Sequence, residues 1–543
     1  MRLYSSGLLL CTLIFAGCTQ NETQPTVPLR EDVAGFHRTV STQNDLAQRY
    51  FDQGLTLYYG FNHDAAIESF NQAAALDSNC AMAYWGRAIS AGPNINNPLM
   101  DSAAAMSAFE AVSRAAALAD GCTEVERALI GALQARYAWP APENRAGLDS
   151  AYAIAMRKVY SDFPDDVDVA TLYADAMMNL RPWDLWTPGG IPQPGTLDIV
   201  AALEAAMAMV ADHPGACHFY VHTMEASPDP GKALPAANIL RNRIPGAGHL
   251  VHMPSHIDIR LGHYANSIEA NLRGIKADSS SGSTNSFYTI YRAHNYHFLA
   301  YSAMFDGQRE LAMNAARSIG QTIPMELVRA FPDYLDAFMA IPIHVMVRFG
   351  LWDDILTEAR PADDMPAHIT FWHYGRTVAY AALGRVGEAQ AEFGKFKAAA
   401  KTVPESRLLG NNSVKSILDV GLAMAEGELE YRKKNYPKAF ASLRTAVRLD
   451  DSLRYDEPWG WMMPVRHALG ALLLEQGKLA EAEAVYREDL RLHPENGWAL
   501  RGLTECLHKL KKHDMAQETD ARFREAWTRA DITIEASCYC RTN

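Results

Sequence analysis

The apolar and polar positions of this chain repeat in one frame. A turn residue is followed at +2 by a bulky or polar residue, at +5 by a small one, at +9 by a larger one and at +12 by a small or apolar one. The clearest copy starts at Gly477 and continues with Leu479, Ala482, Tyr486 and Asp489. Further copies start at the turn residues Phe61, Gly262, Gly307, Gly350, Gly384 and Lys434. This spacing predicts pairs of amphipathic helices.

The frame resembles the tetratricopeptide repeat (TPR), a helix–turn–helix unit of 34 residues. Small residues let the two helices of a unit approach, and large ones fill the gap between them. The resemblance extends over most of residues 45–530 and is weakest around 100–215. It implies an all-α fold, with one TPR-like α-solenoid over residues 41–535 that winds as a right-handed superhelix with a concave and a convex face.

One segment cannot continue the helical pattern. Residues 181–196 contain four prolines and three glycines, which exclude a helix. We predict an inserted loop, and loops of this length are often functional. Trp183 and Trp186 of this loop either cover the concave groove as a lid or simply anchor the loop on the solenoid.

The N-terminus is typical of an export signal. A basic start is followed by an apolar run, by Ala16 and Gly17, and then by Cys18. This order resembles the bacterial lipoprotein signal, which implies a signal peptide over 1–17 and a lipid on the Cys18 sulfur. The membrane is then a partner, and the expected location is the cell envelope, at the outer membrane facing the periplasm. The alternative is ordinary secretion with cleavage nearby. Residues 18–40 are polar and contain proline, which predicts a flexible tether.

Composition narrows the choice of partners. The chain of 543 residues is 48% hydrophobic and carries a net charge of −13, without a basic stretch. We therefore expect no nucleic acid partner. Outside the cytoplasm disulfides are allowed, and Cys80 and Cys122 are a candidate pair. Residues 536–543 form a C-terminal tail.

Histidine is concentrated in the middle of the chain, and its phase is regular. Ten of the 18 histidines lie between His213 and His344. In the repeat frame, the first helix of each unit presents positions 2, 5, 9 and 12 to the concave face. The residues at those positions are His218, His222, Glu225, His249, His252, His256, His294, His297 and His344. At about 100° per residue, those from one helix fall within an arc of about 60°.

This arrangement suits a metal ion. Residues i and i+4 of a helix lie about 5–6 Å apart, and packed helices lie about 8–10 Å apart, so imidazoles of neighbouring helices can converge. Histidine with Glu225 favours a divalent transition metal such as Zn, Fe, Mn, Ni or Cu. The number of candidate ligands is also sufficient for two ions. Alternatively, some of these residues bind the ion and the others orient the ligands through hydrogen bonds. Pro254 is expected to break its helix at Met253.

Three functions remain open. The first is a binding scaffold that holds a protein or peptide in a His-rich concave groove with room for a metal ion. The residues expected to line this groove are His344, His467, Arg466, Trp183 and Trp186. The second is a metal-dependent hydrolase or oxidoreductase, with Glu225 as a ligand or a catalytic base. The third is metal capture or delivery without turnover.

A second resemblance concerns short phrases rather than the frame. The phrases lie at residues 50–55, 59–63, 83–86, 92–96, 252–256, 464–467 and 487–490. They resemble a group of large bacterial TPR lipoproteins. No activity is established for that group, so this resemblance supports the architecture and not a chemistry.

Overall fold

The computed structural model describes residues 26–280 and 286–541. The predicted signal peptide (1–17) and Cys18 lie outside the described residues. The helices of the first half are α1 Asp45–Tyr59, α2 His63–Leu76, α3 Ala81–Ser90, α4 Ser102–Ala117, α5 Glu124–Gln134, α6 Ala146–Asp162, α7 Val167–Met178, α8 Thr196–Met209, α9 Pro214–Met224, α10 Leu234–Arg243, α11 Gly248–His252, α12 Pro254–Leu261 and α13 Tyr264–Ser280.

The second half is built in the same way. Its helices are α14 Ser286–Phe305, α15 Arg309–Thr322, α16 Met325–Ala330, α17 Pro332–Leu335, α18 Ile341–Arg348, α19 Trp352–Thr357, α20 Pro366–Ala382, α21 Val386–Ala400, α22 Val414–Arg432, α23 Tyr436–Ser452, α24 Val465–Glu475, α25 Leu479–Leu492, α26 Gly497–Lys509 and α27 His513–Ala526. Short 3-10 helices lie at Glu31–Val33, Ala119–Gly121, Pro230–Ala233 and Ala337–Ala340. The strands β1 Leu408–Leu409 and β2 Asn412–Ser413 pair antiparallel.

Successive helices pack as hairpins, which confirms the predicted all-α, TPR-like solenoid. Within the hairpins α1–α2, α20–α21, α22–α23 and α26–α27, a short turn joins two helices that lie side by side. Each hairpin has one apolar face that it cannot bury alone, and stacking the hairpins buries it.

The turn residues of the repeat frame share one backbone conformation. Their φ angles are 54° at Phe61, 80° at Gly262, 73° at Gly307, 66° at Gly350, 72° at Gly384, 63° at Lys434 and 68° at Gly477. A residue in the left-handed region lets the chain leave one helix and reverse direction into the next. The predicted turn positions are therefore confirmed.

The small residues of the frame lie where two helices meet an aromatic ring. A Cβ atom on Gly54 or Gly86 would lie 2.8 Å or 2.3 Å from the ring of Phe70. Gly470 and Gly502 lie against the ring of Tyr486 in the same manner, at 2.6 Å and 2.3 Å. All four distances are too short for a real Cβ atom, so these positions favour glycine.

The helix that carries the middle histidines is interrupted as predicted. α11 ends at His252, Met253 forms the connection, and α12 starts at Pro254. Proline suits the first turn of a helix, because its missing N–H would have no partner there. The interruption places the residues before and after Met253 on two separate short helices.

The N-terminal segment differs from the predicted flexible tether. In residues 26–40, Val33 and Val40 are buried, and the backbone N–H of Thr26 donates to Gln72 Oε1 at 2.9 Å. Arg38 forms ion pairs with Asp166 and Asp168 at 2.8 and 2.7 Å. The correction has a simple cause: the apolar side chains and the arginine find buried partners on the first repeats.

The solenoid winds back onto itself. α1 packs against α9, and α26 reaches the middle of the chain, where Trp498 Nε1 donates to Met304 O at 2.8 Å. The tail also returns: Asp531 accepts the backbone N–H groups of Arg309 and Glu310 at 2.7 and 2.9 Å. The last repeat and the tail are therefore attached to the middle of the chain.

The cysteines differ from the predicted pairing. Cys80 and Cys122 are buried free thiols, so the predicted pair does not form in this structure, whereas Cys538 and Cys540 of the tail form a disulfide bond.

Across residues 26–280 and 286–541, none of the helices combines the length and apolar character that a bilayer crossing requires.

Candidate metal centre

Six histidines from four helices meet in the interior of the central repeats. α9 carries His218 and His222, and α11 carries His249 and His252. The other two are His256 on α12 and His294 on α14. We call His218, His222 and His249 the first histidine set, and His252, His256 and His294 the second histidine set. Within each set, one ring nitrogen from every member lies within 4.8 Å of the others.

Hydrogen bonds through Nδ1 fix the orientation of two imidazoles in the first histidine set. His218 Nδ1 donates to the backbone carbonyl of Tyr59 at 2.6 Å, and His222 Nδ1 donates to Glu225 Oε1 at 2.8 Å. Because a carbonyl or carboxylate oxygen can only accept, each of these nitrogens carries the proton. The Nε2 atom of the neutral ring then offers its lone pair to the interior.

The inward-facing nitrogens of the first histidine set are unsatisfied. Nε2 of His218, Nε2 of His222 and both ring nitrogens of His249 have no hydrogen-bond partner within the described residues. All three residues are at most 3% exposed. Buried polar atoms are nearly always paired in folded proteins, so three such groups in one place call for a ligand.

The second histidine set has the same plan with one difference. His252 Nδ1 donates to Asn271 Oδ1 at 2.7 Å, and His256 Nδ1 faces Glu225 Oε2 at 2.5 Å. The Nε2 atoms of His252 and His256 lie 2.7 Å apart, a distance that requires a shared proton. That proton occupies the place where both lone pairs would meet a metal ion.

Glu225 lies between the two sets. Oε1 accepts from His222 and Oε2 accepts from His256, so one carboxylate orients an imidazole of each set. This is the geometry of a support behind the ligands. Glu225 can also belong to a ligand group of its own, because donor atoms of His222, Glu225, His256 and Glu457 lie within 4.8 Å of one another.

The charges at the site follow from burial and from the carboxylates. Burial, reinforced by neighbouring histidines, lowers the pKa of His218, His249, His252 and His294 well below its ordinary value. These imidazoles are neutral, as metal ligands must be.

Burial does not decide the charge of two groups at the site. Burial also opposes the charge on His256, but Glu457 and Glu225 outweigh it and raise the pKa of His256 to about 10. Burial would raise the pKa of Glu225, yet the facing His256 and His222 hold it well below its ordinary value. The result is a buried ion pair between Glu225 and His256 beside the neutral imidazoles.

Aromatic rings close the site. The ring of Phe61 lies 4.6 Å from that of His218, 5.9 Å from that of His222 and 5.7 Å from that of His249, measured between centroids. Trp183 of the 181–196 loop meets His222 edge-on at 5.4 Å, and Tyr291 lies 4.7 Å from His249. These rings separate the nitrogens from solvent.

The loop tryptophans divide the two roles that the sequence left open. Trp186 Nε1 donates to the carbonyl of Thr223 on α9 at 2.7 Å, which anchors the loop. Trp183 instead lies over the first histidine set as a cover.

Sequence reasoning missed four groups at this site. They are Phe61, Asn271, Tyr455 and Glu457. Tyr455 donates to Glu225 Oε2 at 3.1 Å, and Glu457 contacts His256 Nδ1. Both come from the irregular segment between α23 and α24, some 230 residues along the chain from Glu225. The aromatic and proline-rich composition of that segment, like that of 181–196, was a usable signal.

Two candidate ligands lie outside both sets. His297 packs against Phe338 at 5.3 Å, and His344 lies 5.2 Å from Trp461, measured between ring centroids. Both are buried, and none of their four ring nitrogens has a hydrogen-bond partner within the described residues. Neither His297 nor His344 belongs to a cluster of possible metal ligands among the described residues.

The predicted groove residues are mostly inside the protein. His344, His467 and Arg466 are buried, at 1%, 1% and 8% exposure. His467 is held by Arg348 and Asp489, each at 2.8 Å, and Arg466 forms a two-pronged ion pair with Asp451. An open groove is therefore a wrong expectation at these positions: Trp461 packs on His344, and Asp489 of α25 and Ser537 of the tail form hydrogen bonds with His467.

Comparison with known proteins adds little beyond the fold. Neither a protein-family model nor a curated protein matches the chain. Among solved structures, the human IFIT1 dimer with m7Gppp-AAAA is similar with a TM-score of 0.33 and 11% identity, over 91% of this chain and 92% of that chain. Yeast Tom70 is similar with a TM-score of 0.29 and 13% identity, over 89% of this chain and 90% of that chain. At such scores neither neighbour informs the function of this chain.

Fold and site together define a class. The chain is an all-α, TPR-like solenoid with buried histidine and glutamate groups that can hold a metal ion.

Proposed function

We propose that this protein binds transition-metal ions at the two histidine sets and that the centre is catalytic. The observation that carries the proposal is the first histidine set. Two of its imidazoles are fixed through Nδ1, and their Nε2 atoms face a third imidazole without any hydrogen-bond partner among the described residues.

The geometry fits an ion of the zinc or copper type. Such an ion lies about 2.0–2.1 Å from each nitrogen, so tetrahedral ligand nitrogens are about 3.3 Å apart. The nitrogens of each set already lie within 4.8 Å of one another, which is near that separation. Donor sets made of imidazole alone favour Zn²⁺ and copper over Ca²⁺ and Mg²⁺.

The number of ligands supports catalysis over storage. Three protein ligands leave a fourth position for water or substrate, as in catalytic zinc sites, whereas a storage or structural site is closed by four. The aromatic cover of Phe61, Trp183 and Tyr291 excludes bulk water, which strengthens electrostatic interactions inside the site. Either hydrolysis or redox chemistry is compatible with such a centre.

Glu225 is better suited to positioning than to catalysis in this arrangement. Both of its oxygens already accept from histidine Nδ1 atoms, and Tyr455 donates to one of them. A carboxylate in this place raises the basicity of its imidazoles and fixes their direction. We therefore assign Glu225 as the residue that orients one ligand in each set.

Metal content tests the proposal directly. The purified full chain is loaded with Zn²⁺ or Cu²⁺, desalted and measured by elemental analysis. We expect about two ions per chain, one for each set, and the ion at the second set must displace the proton that His252 and His256 share. The double variant His222→Ala with His252→Ala removes one ligand from each set and should lose the ions. The control variant His297→Ala with His344→Ala truncates two equally buried histidines and should retain them. Wild-type protein that holds no stoichiometric metal would overturn the proposal.

The cellular address stays a proposal as well. The order of residues up to Cys18 supports a lipid-anchored protein of the bacterial envelope, facing the periplasm. Metabolic labelling with a fatty acid tests it, with Cys18→Ser as the variant that should lose the label. A label that persists in this variant contradicts the lipid anchor. A protein or peptide partner and the absence of a nucleic acid partner also remain predictions.

A further inference from the structure

A surface pocket lies on the other side of the aromatic cover. Its volume is about 250 Å³, and its walls come from the start of α2, the end of α3, the start of α4 and α14. Phe61 and Tyr291 line it, and the same two rings contact His249 at 5.7 and 4.7 Å between centroids. The thickness of one aromatic layer therefore separates the pocket from the first histidine set.

The wall of this pocket holds an unsatisfied polar group. Ser90 is 2% exposed, and its Oγ has no hydrogen-bond partner within the described residues. On the same wall, His63 Nε2 also lacks a partner there. A buried hydroxyl that faces a pocket without a partner is a place where a ligand can donate or accept a hydrogen bond.

The lining selects for charge. Asp64 and Asp101 contribute carboxylates, Asn94 and Asn97 contribute amides, and none of the described residues that line the pocket is a lysine or an arginine. The rings of Phe61, Tyr288 and Tyr291 add faces that attract a cation. Such a surface favours an ammonium group over a carboxylate or phosphate.

One arginine lies behind the floor of the pocket. Arg136 is fully buried; its guanidinium donates to the carbonyl of Pro93 at 2.7 Å and lies over the ring of Tyr152. Its Nε and Nη1 atoms have no hydrogen-bond partner within the described residues. The guanidinium is thus held within the fold beneath the backbone of Gly92 and is not part of the pocket surface.

We infer that this pocket binds a small organic amine. The ammonium group would lie near the carboxylates and Ser90, and the apolar part of the molecule would contact the aromatic rings and Ile67. The binding of the amine does not depend on the proposed function, because none of the three histidines of the first set lines the pocket.

Three probes of one size separate the possible ligand classes. Benzylamine, benzyl alcohol and benzoate are titrated calorimetrically into the full chain, once after metal loading and once after treatment with a chelator. We expect benzylamine to bind at least about tenfold more tightly than benzyl alcohol, and benzoate to bind more weakly still. Ala104→Trp fills the pocket and should abolish the binding of benzylamine. Met106→Trp adds the same side chain to an exposed position of α4 and should leave the binding unchanged.

The outcomes distinguish this inference from the proposed function. If benzoate binds as tightly as benzylamine, if benzylamine does not bind, or if Ala104→Trp leaves its binding intact, the inference about the pocket is wrong while the metal content can still be correct. If benzylamine binds as expected to a chain that retains no metal even after loading, the pocket is supported and the proposed function is overturned.

Discussion

Two groups of buried histidines in this protein differ in one respect. His213 and His467 have both ring nitrogens satisfied: His213 contacts Asp168 at 3.1 Å and accepts the N–H of Ala216 at 3.0 Å. His467 lies between Arg348 and Asp489. In the first histidine set, every imidazole keeps at least one nitrogen without a partner among the described residues, and these nitrogens face one another.

The difference teaches how to recognise a site inside a polar core. A buried histidine stabilises the fold when its own neighbours use both of its nitrogens. It becomes a candidate ligand when unsatisfied nitrogens from separate helices converge, because the protein then carries the cost of burial without the gain of a hydrogen bond. Burial alone does not separate the two groups, since both are almost completely inaccessible to solvent.

The largest effect is expected where a satisfied histidine is removed. His467→Ala leaves Arg348 and Asp489 buried without their shared partner, so the free energy of unfolding should fall by about 3–5 kcal/mol. Denaturant titration measures this loss. Metal retention should be unchanged in the folded fraction. A variant of normal stability that has lost its metal would place His467 in the wrong group.

Metal addition should produce the next largest effect, and with the opposite sign. Free Zn²⁺ at 100 to 1,000 times its Kd stabilises a one-site protein by about 3–4 kcal/mol. The melting temperature of the wild type should therefore rise with Zn²⁺ and return after chelation. No rise is expected for His222→Ala with His252→Ala. An equal rise in that variant would show that the ion stabilises the chain elsewhere.

A single buried polar group without a partner should lower the stability of the fold and should not bind a ligand. Glu428 on α22 is buried, its Oε2 has no hydrogen-bond partner within the described residues, and burial raises its pKa from 4.5 to about 7. Between these two pH values the unfolded chain loses the proton and the folded chain keeps it, so stability falls as pH rises. Glu428→Gln should recover up to about 3 kcal/mol above pH 7 and almost nothing below pH 4.5.

Thermal unfolding of both proteins at pH 5 and pH 8 checks this expectation. The gain from the substitution should be several times larger at pH 8. A gain of equal size at both pH values would mean that Glu428 is not protonated in the fold, and its burial would need another explanation.

The smallest effect is expected for Glu225, which orients one imidazole of each histidine set. Glu225→Gln keeps the shape of the side chain but cannot accept equally well from both His222 and His256, so metal affinity should fall about 10- to 100-fold. Competition with a chromophoric chelator measures it. Glu392→Gln is the control, because Glu392 accepts from His373 at 2.7 Å outside both sets. A similar loss in the control would show that the effect is general.

The repeat frame was readable because it is local. Each turn residue and each small residue faces a partner within the same or the next hairpin, as Gly470 and Gly502 face Tyr486. The inward phase of the histidines on α9, α11, α12 and α14 follows from the same frame, and the structure brings six of them into two sets.

The remaining parts of the site depend on how tightly the solenoid winds. Winding is the sum of small rotations between successive hairpins, and no single segment of sequence encodes it. For this reason the sequence did not predict Glu457 and Tyr455, which reach Glu225 from a distant repeat. For the same reason it predicted an open groove that the structure does not have. Phe61 was recognised as a turn residue, but its ring position over the histidines depends on the contact of α1 with α9.

The return of the C-terminal tail to α15 has a consequence for how the protein comes apart. An ordinary repeat array frays from its ends, because each unit is held by its neighbours alone. Here Asp531 and Trp498 fasten the last repeat to the middle of the chain. We therefore expect hydrogen exchange in α26 and in α14 to report one shared opening event, and loss of the final residues to loosen the centre before it loosens the ends.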